Sequence, residues 1–223
     1  MSEVESRTAS VATDREYSRR NFLKTAGWAT AAISAAGIGG FGVAARYANA
    51  QEGDQPYTTY EGLGDVAILQ FAYLLEQLEG VFYQTGADSG IFDEFTLAQI
   101  AAIRDHEIAH AEAIAATLGS LGAEVPATPE FTFPDGVFAD PAAFLELAAT
   151  FEPVGIGAYQ GAAPALESKD ILAAAISIHN AECQHRVAIN ILNGVNPPND
   201  LAFEKALPIG DVQEAVKPFG ITG

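Results

Sequence analysis

The sequence predicts an all-α fold, an antiparallel four-helix bundle with one long crossover between its second and third helices. Three observations carry that expectation. Four long stretches space their apolar residues at intervals of three and four, as helices with one buried face do. Two of the connections between them are short and one is long. Glutamate and histidine also recur in matched pairs on the apolar faces, where charge is otherwise rare.

The chain has 223 residues, is 49% hydrophobic and carries a formal charge of -18, with a mean hydropathy of +0.13. That composition builds a core and does not resemble a disordered acidic chain. After residue 50 the basic side chains are Arg104, Lys169, Arg186, Lys205 and Lys217, against 25 Asp and Glu. No nucleic acid is therefore expected as a partner, and anionic membranes fit as poorly. An acid excess of this size suits a high-salt habitat, where screening over a few ångströms tolerates the self-repulsion, and ordinary acidic solubility equally. The single cysteine, Cys183, excludes an intrachain disulfide and a four-thiolate metal site. A metal here has to be held by carboxylate and imidazole.

Residues 1–50 read as an address. Ser18-Arg19-Arg20-Asn21-Phe22-Leu23-Lys24 resembles the twin-arginine (Tat) signal consensus. A Gly- and Ala-rich run from Thr25 to Ala44 follows, and then Ala48-Asn49-Ala50, which implies cleavage after Ala50. An uncleaved anchor is the alternative, because the run approaches bilayer-spanning length, although its Gly, Ser and Thr make it weakly lipophilic. The resemblance implies the Tat translocase as partner and export of a folded, often metal-loaded protein to the periplasm, the extracellular space or the cell surface.

Residues 51–62 form a linker, and the bundle is expected over 63–194. The first helix runs from Leu63 to Thr85 and stops near Gly86. The second opens at Thr96, with Gln99 completing a capping box, and fades at Gly119 and Gly122. Ala123 to Ala139 is too long for a tight hairpin and suits a crossover. Asp140 caps the third helix and Pro141 occupies its first turn, the helix continuing to about Pro164. The fourth runs from about Ser168 to Gly194. The tail, 195–223, holds a short helix over Asp211 to Val216, with Phe203, Leu207, Ile209 and Phe219 available to pack back on the bundle.

The apolar faces carry the unusual chemistry. On the second helix, steps of three and four give Ile100, Ile103, Glu107, His110, Ala111 and Ile114; on the fourth they give Ala175, Ile178, Glu182, His185 and Ile189. Glu76 shares its face with Leu69, Ala72 and Tyr73, and Glu152 shares its own with Leu145, Ala148 and Ile156. Each of these two glutamates has a tyrosine seven residues on, Tyr83 and Tyr159. Glu79 lies on the edge of the Glu76 face and, with the two tyrosines, is a candidate to support the site; His179, one turn before Glu182, is a further candidate, although a place on the helix surface is the stronger reading for it. A lone carboxylate in a core costs several kcal/mol unless paired. Four of them ask for about four positive charges, which two divalent metal ions supply.

These motifs resemble the ferritin-like superfamily, and within it the exported branch similar to desiccation-related proteins, over most of residues 60–220. The resemblance implies metal ligands at Glu76, Glu107, His110, Glu152, Glu182 and His185, holding two iron or two manganese ions. It also implies a ferroxidase, iron-storage, peroxidase or manganese-catalase type of activity on a small oxidant or metal-ion substrate, and leaves homo-oligomerisation open. A rubrerythrin-like peroxidase with its own electron-feeding iron site does not fit a chain with one cysteine. Pro153, directly after Glu152, departs from the pattern and is expected to kink or loosen the third helix.

Two further readings stand beside this one. The fold also serves as a non-catalytic, stress- or desiccation-related protein. Alternatively, His106-Glu107-Ile108-Ala109-His110 is an HExxH sequence, the helix of a zinc hydrolase. Under the dimetal reading His106, rotated by about 100° from Glu107, is expected to lie off the site.

Overall fold

A computed structural model describes residues 60–221. The twin-arginine segment, the Ala50 cleavage site and most of the linker lie outside the described residues. Among the described residues the fold has five α-helices: α1 (Gly64–Asp88), α2 (Glu94–Ser120), α3 (Pro141–Ala162), α4 (Lys169–Leu192) and α5 (Ile209–Val216). Single 3-10 turns follow α3 (Ala163–Ala165) and α5 (Lys217–Phe219). No strand occurs among the described residues, and no described helix is long and apolar enough to cross a membrane.

Side chains opposite each other fix the directions. Glu76 and Tyr83 on α1 meet Tyr159 and Glu152 on α3, so numbers rise along one helix as they fall along the other. Between α2 and α4, His106 meets His185 while His110 meets Glu182. Within each half, Glu76 lies beside His110 and Glu152 beside His185. All four neighbouring pairs are therefore antiparallel, which obliges the chain to return the full length of the bundle between α2 and α3. The connection does so along α1, with Gln70 donating to the Glu124 carbonyl, Thr128 to Gln77, and Phe133 packing on Phe82.

Helix ends differ from expectation in two places. Asp93, not Thr96, is the N-cap of α2, its carboxylate accepting from the Thr96 amide, so the helix opens at Glu94. α1 passes through Gly86 to Asp88. Gly86 does not end the helix; it makes room for Phe144, whose ring would collide with any Cβ at that position. Phe144 stacks on Phe82 with centroids 4.2 Å apart, at the centre of an apolar core that takes in Phe151, Ile100 and Ile189.

Pro153 does not break α3, which runs unbroken through it. The ring is on the exposed side, as is Ala149 one turn earlier, so the carbonyl that loses its helical partner faces water. Behind it, glycines receive the tail. Cβ atoms at Gly157 and Gly161 would overlap Leu207, and the Leu207 amide donates to the Gly157 carbonyl at 2.9 Å. From there α5 buries Val212 and Val216 in the Phe82 core, while Arg186 on α4 holds Asp200 and Glu204 of the tail. Leu207, Ile209 and Phe219 pack on the bundle, whereas Phe203 is 62% exposed. It lies between Asp200 and Glu204, the two tail residues that Arg186 ties to α4.

A second core, around Ile68, Leu69, Ile114, Leu118 and Ile171, occupies the other end of the bundle. Between the two lies a buried polar layer.

Candidate metal centre

That layer is made by one turn from each helix. Residues one turn apart share a face, so α2 presents Glu107 with His110 and α4 presents Glu182 with His185, while α1 and α3 present Glu76 and Glu152. Glu107, Glu152 and Glu182 have no exposed surface, Glu76 has 1% and His185 3%. All six ligands implied by the sequence are brought together.

The donors fall into two groups. Around His110 Nδ1, Glu76 Oε2, Glu107 Oε2 and Glu182 Oε1 each lie at 3.1 Å. Around His185 Nδ1, Glu107 Oε1 lies at 2.9 Å, Glu182 Oε2 at 3.5 Å and Glu152 Oε2 at 3.8 Å. Glu107 and Glu182 thus give one oxygen to each group, and Glu76 and Glu152 serve one group each. Donor atoms about 2.1 Å from one ion sit about 3–4 Å apart, which is the spacing seen.

Orientation supports the same reading. Glu107 Oε1, Glu152 Oε2, both oxygens of Glu182 and His185 Nδ1 are buried without a hydrogen-bond partner among the described residues, although several lie within 3.5 Å of one another. Their lone pairs converge on shared points instead of on each other's protons. Buried polar atoms rarely go unsatisfied, and cations at those points would satisfy all five. The residues present therefore fit a pair of metal ions.

Protons take up part of that role when no metal is bound. Burial raises Glu76 to about 8, the His110 contact offsetting only part of it. Burial and the neighbouring carboxylates raise Glu79 and Glu152 well above the usual range. Burial alone would lower the two imidazoles, but the surrounding carboxylates outweigh it and raise His110 to about 12 and His185 to about 11. Burial likewise works to raise Glu107, and the two imidazoles overcome it, holding that carboxyl at about 2.

The tyrosines act across the bundle. Tyr159 on α3 donates to Glu76 Oε1 on α1, and Tyr83 on α1 donates to Glu152 Oε1 on α3. Each outer carboxylate is thereby held by its far oxygen, leaving Oε2 free for the centre. Seven residues separate each tyrosine from the glutamate on its own helix, about 10 Å along the axis; the equal spacing registers two antiparallel helices. An apolar cavity of about 60 Å³ lies beyond Tyr159, lined by Ala72, Leu75, Ile114 and Ala175 among others.

Two further histidines flank this layer. His179 is not brought to the centre; it lies 3.9 Å from Cys183 Sγ, and burial lowers its pKa. His106, expected off the site, has Nδ1 2.9 Å from His185 Nε2. A straight helix does rotate it away from the metal points, but the α2–α4 register sets it behind the outer nitrogen of His185. Only that register could have revealed the contact. We expect His106→Ala to weaken metal binding roughly 10–100-fold, the usual effect of losing a ligand's orienting partner, without abolishing it. Equilibrium dialysis measures this, and complete loss would instead make His106 a ligand. Its Nδ1 is engaged with the outer nitrogen of His185 and is not turned with His110 toward one shared point, as an HExxH zinc helix asks.

Residues 64–194 match the family described as a ferritin-like domain. Among solved structures, the chain is similar to a conserved hypothetical protein, rv2844, from Mycobacterium tuberculosis. The two share 16% sequence identity and a TM-score of 0.52, over 64% of this chain and 95% of that one, a likeness of fold. No curated protein matches. With four antiparallel helices around a carboxylate and histidine layer and a match over most of the described residues, the chain belongs to the ferritin-like domain family.

Proposed function

We propose that the protein holds two iron or two manganese ions and reacts with dioxygen or hydrogen peroxide, or oxidises ferrous iron. The observation that carries this reading is the sharing of Glu107 and Glu182, each offering one oxygen to the His110 group and one to the His185 group. A mononuclear site has no use for that division.

Bound ions would supply redox change and Lewis acidity at coordination positions the six side chains leave open. Glu107 and Glu182, each with one oxygen in either group, would hold both ions. Tyr83 and Tyr159 aim the outer glutamates. The apolar cores on either side keep water away and strengthen every electrostatic contact between them. The cavity beside Tyr159 offers space for a small uncharged oxidant. Carboxylate with imidazole suits iron and manganese alike, so availability decides between them.

Metal analysis of the purified protein should find close to two iron or manganese ions per chain. Adding ferrous iron in air, or peroxide to the manganese form, should then give turnover above buffer. Metal bound without either reaction would leave the storage or stress-protective reading, and one zinc per chain would restore the hydrolase.

Export through the Tat translocase with cleavage after Ala50 belongs to the same proposal, supported by Arg19, Arg20 and Ala48-Asn49-Ala50. Changing Arg19 and Arg20 to lysine should retain the precursor in the cytoplasm, as fractionation and immunoblotting would show. Undiminished export would overturn this route.

A further inference from the structure

The two halves of the bundle repeat, and the places where they fail to repeat are informative. Glu76 corresponds to Glu152 and Tyr83 to Tyr159, each pair crossing to the other helix. By the same count Glu79 corresponds to Gly155. One half therefore carries a fifth carboxylate where the other carries no side chain.

The glycine is what lets that carboxylate in. A Cβ at Gly155 would stand 3.3 Å and 3.5 Å from the two oxygens of Glu79, and 3.5 Å from Glu182 Oε2. Glu79 and the shared oxygen of Glu182 thus border the same space left open on α3. That oxygen is the one Glu182 gives to the His185 group, and it has no hydrogen-bond partner among the described residues.

Among the described residues, none lining the far side of Glu79 offers a cation. The residue is 4% exposed, and a small cavity of about 10 Å³ beside it is lined by Leu75, Leu78, Phe151, Val154 and Val216. Its other neighbours are the glutamates of the centre. Its place is opposite the histidines, which approach from α2 and α4, whereas Glu79 approaches along the α1–α3 seam.

We propose that Glu79 is a further metal ligand, seated on the position formed by Glu152, Glu182 and His185, so that the two metal positions are unequal and this one fills first. The inference rests on the dimetal reading. His106 breaks the repeat in favour of the same position: it backs His185, while its counterpart on α4 is Ala181, and His110 is left 13% exposed. One position then has four carboxylates and a braced imidazole, the other three carboxylates and an imidazole that no residue braces in the same way.

The test is a calorimetric titration of the metal-free protein with Mn(II), with native mass spectrometry counting the ions bound. The parent should take up two ions in two resolved steps. Glu79→Gln keeps the shape of the side chain and removes the ligand charge; it should weaken the first step by about 100-fold, so that the two steps merge. Gly155→Ala, which places a methyl group against the Glu79 carboxylate, should weaken the same step and spare the second. Equal affinities in the parent would overturn the proposal. So would a Glu79→Gln protein whose two affinities stay within about threefold of the parent's, since a protonated spacer is replaced by an amide without loss. A parent that binds no Mn(II), Fe(II) or Co(II) would sink the dimetal reading itself, a result distinct from two ions bound indifferently to Glu79.

Discussion

Glu182→Ala should empty both metal positions at once. The side chain gives Oε1 to the group at His110 and Oε2 to the group at His185, so a single truncation removes a donor from each. Glu152→Ala, which touches one group, should leave one ion bound. At a metal concentration of about 100 times Kd, each site contributes about 2.7 kcal/mol to apparent stability. For a domain of this size each kcal/mol moves the midpoint by about 2–4 °C. Losing both ions should therefore lower Tm by about 10–20 °C in metal-containing buffer. The loss should disappear in chelator. Without metal, Glu182 is one of several carboxylates crowded in a buried layer, and removing it relieves repulsion while opening a small cavity; the variant should then be close to the parent. Metal content and thermal midpoint in both buffers check this, and a Glu182→Ala protein that keeps two ions would overturn the shared-carboxylate arrangement.

Stripping the metal should make stability strongly pH-dependent, falling as pH rises from about 6 to 9. His110 and His185 have folded pKa values of about 12 and 11, above the ordinary imidazole value. A group raised on folding contributes stability that is complete below its unfolded pKa and is lost as pH climbs toward the folded one. For the histidines that loss begins near 6.5. Glu76, raised to about 8, obeys the same rule over a lower window, from about 4.5 to 8. The two effects run in the same direction through neutrality. Glu107, held at about 2, is the opposite case: its contribution fades as pH falls from about 4.5 toward 2. Metal binding displaces these protons, so affinity should rise over the same interval and the metal-induced gain in Tm should be larger at pH 8 than at pH 6. Thermal scans with chelator and with Mn(II) at the two pH values measure both trends. A metal-free protein equally stable at pH 6 and pH 9 would contradict them.

Much of this arrangement is local and therefore legible in sequence. A helix places residues three and four apart on one face whatever surrounds it, so Glu107 with His110, and Glu182 with His185, identify the centre. Asp140 caps the helix it was expected to cap, because a side chain accepting a nearby amide depends on a few residues alone. Gly86 shows the limit of that logic: a glycine near a helix end looks like a terminator until Phe144, 58 positions away, is seen to need the space. Pro153 shows it from the other side, because the cost of a missing amide depends on whether the orphaned carbonyl meets water.

The sequence by itself determined that four helices would bury carboxylates and imidazoles in one layer, since spacing, capping and the cost of an unpaired buried charge are properties of short segments. Tertiary structure alone decided how those side chains are shared. Which oxygen of Glu107 serves which histidine, why Tyr83 holds Glu152 instead of reaching toward its own helix, and why His106 braces His185 while Glu79 fills the space beside Gly155 all depend on the register between antiparallel helices. Register is set by the packing of the phenylalanine core at one end and the Leu118 core at the other. Contacts between residues dozens of positions apart leave no periodic trace in a single chain, because each helix face looks the same whichever partner it meets.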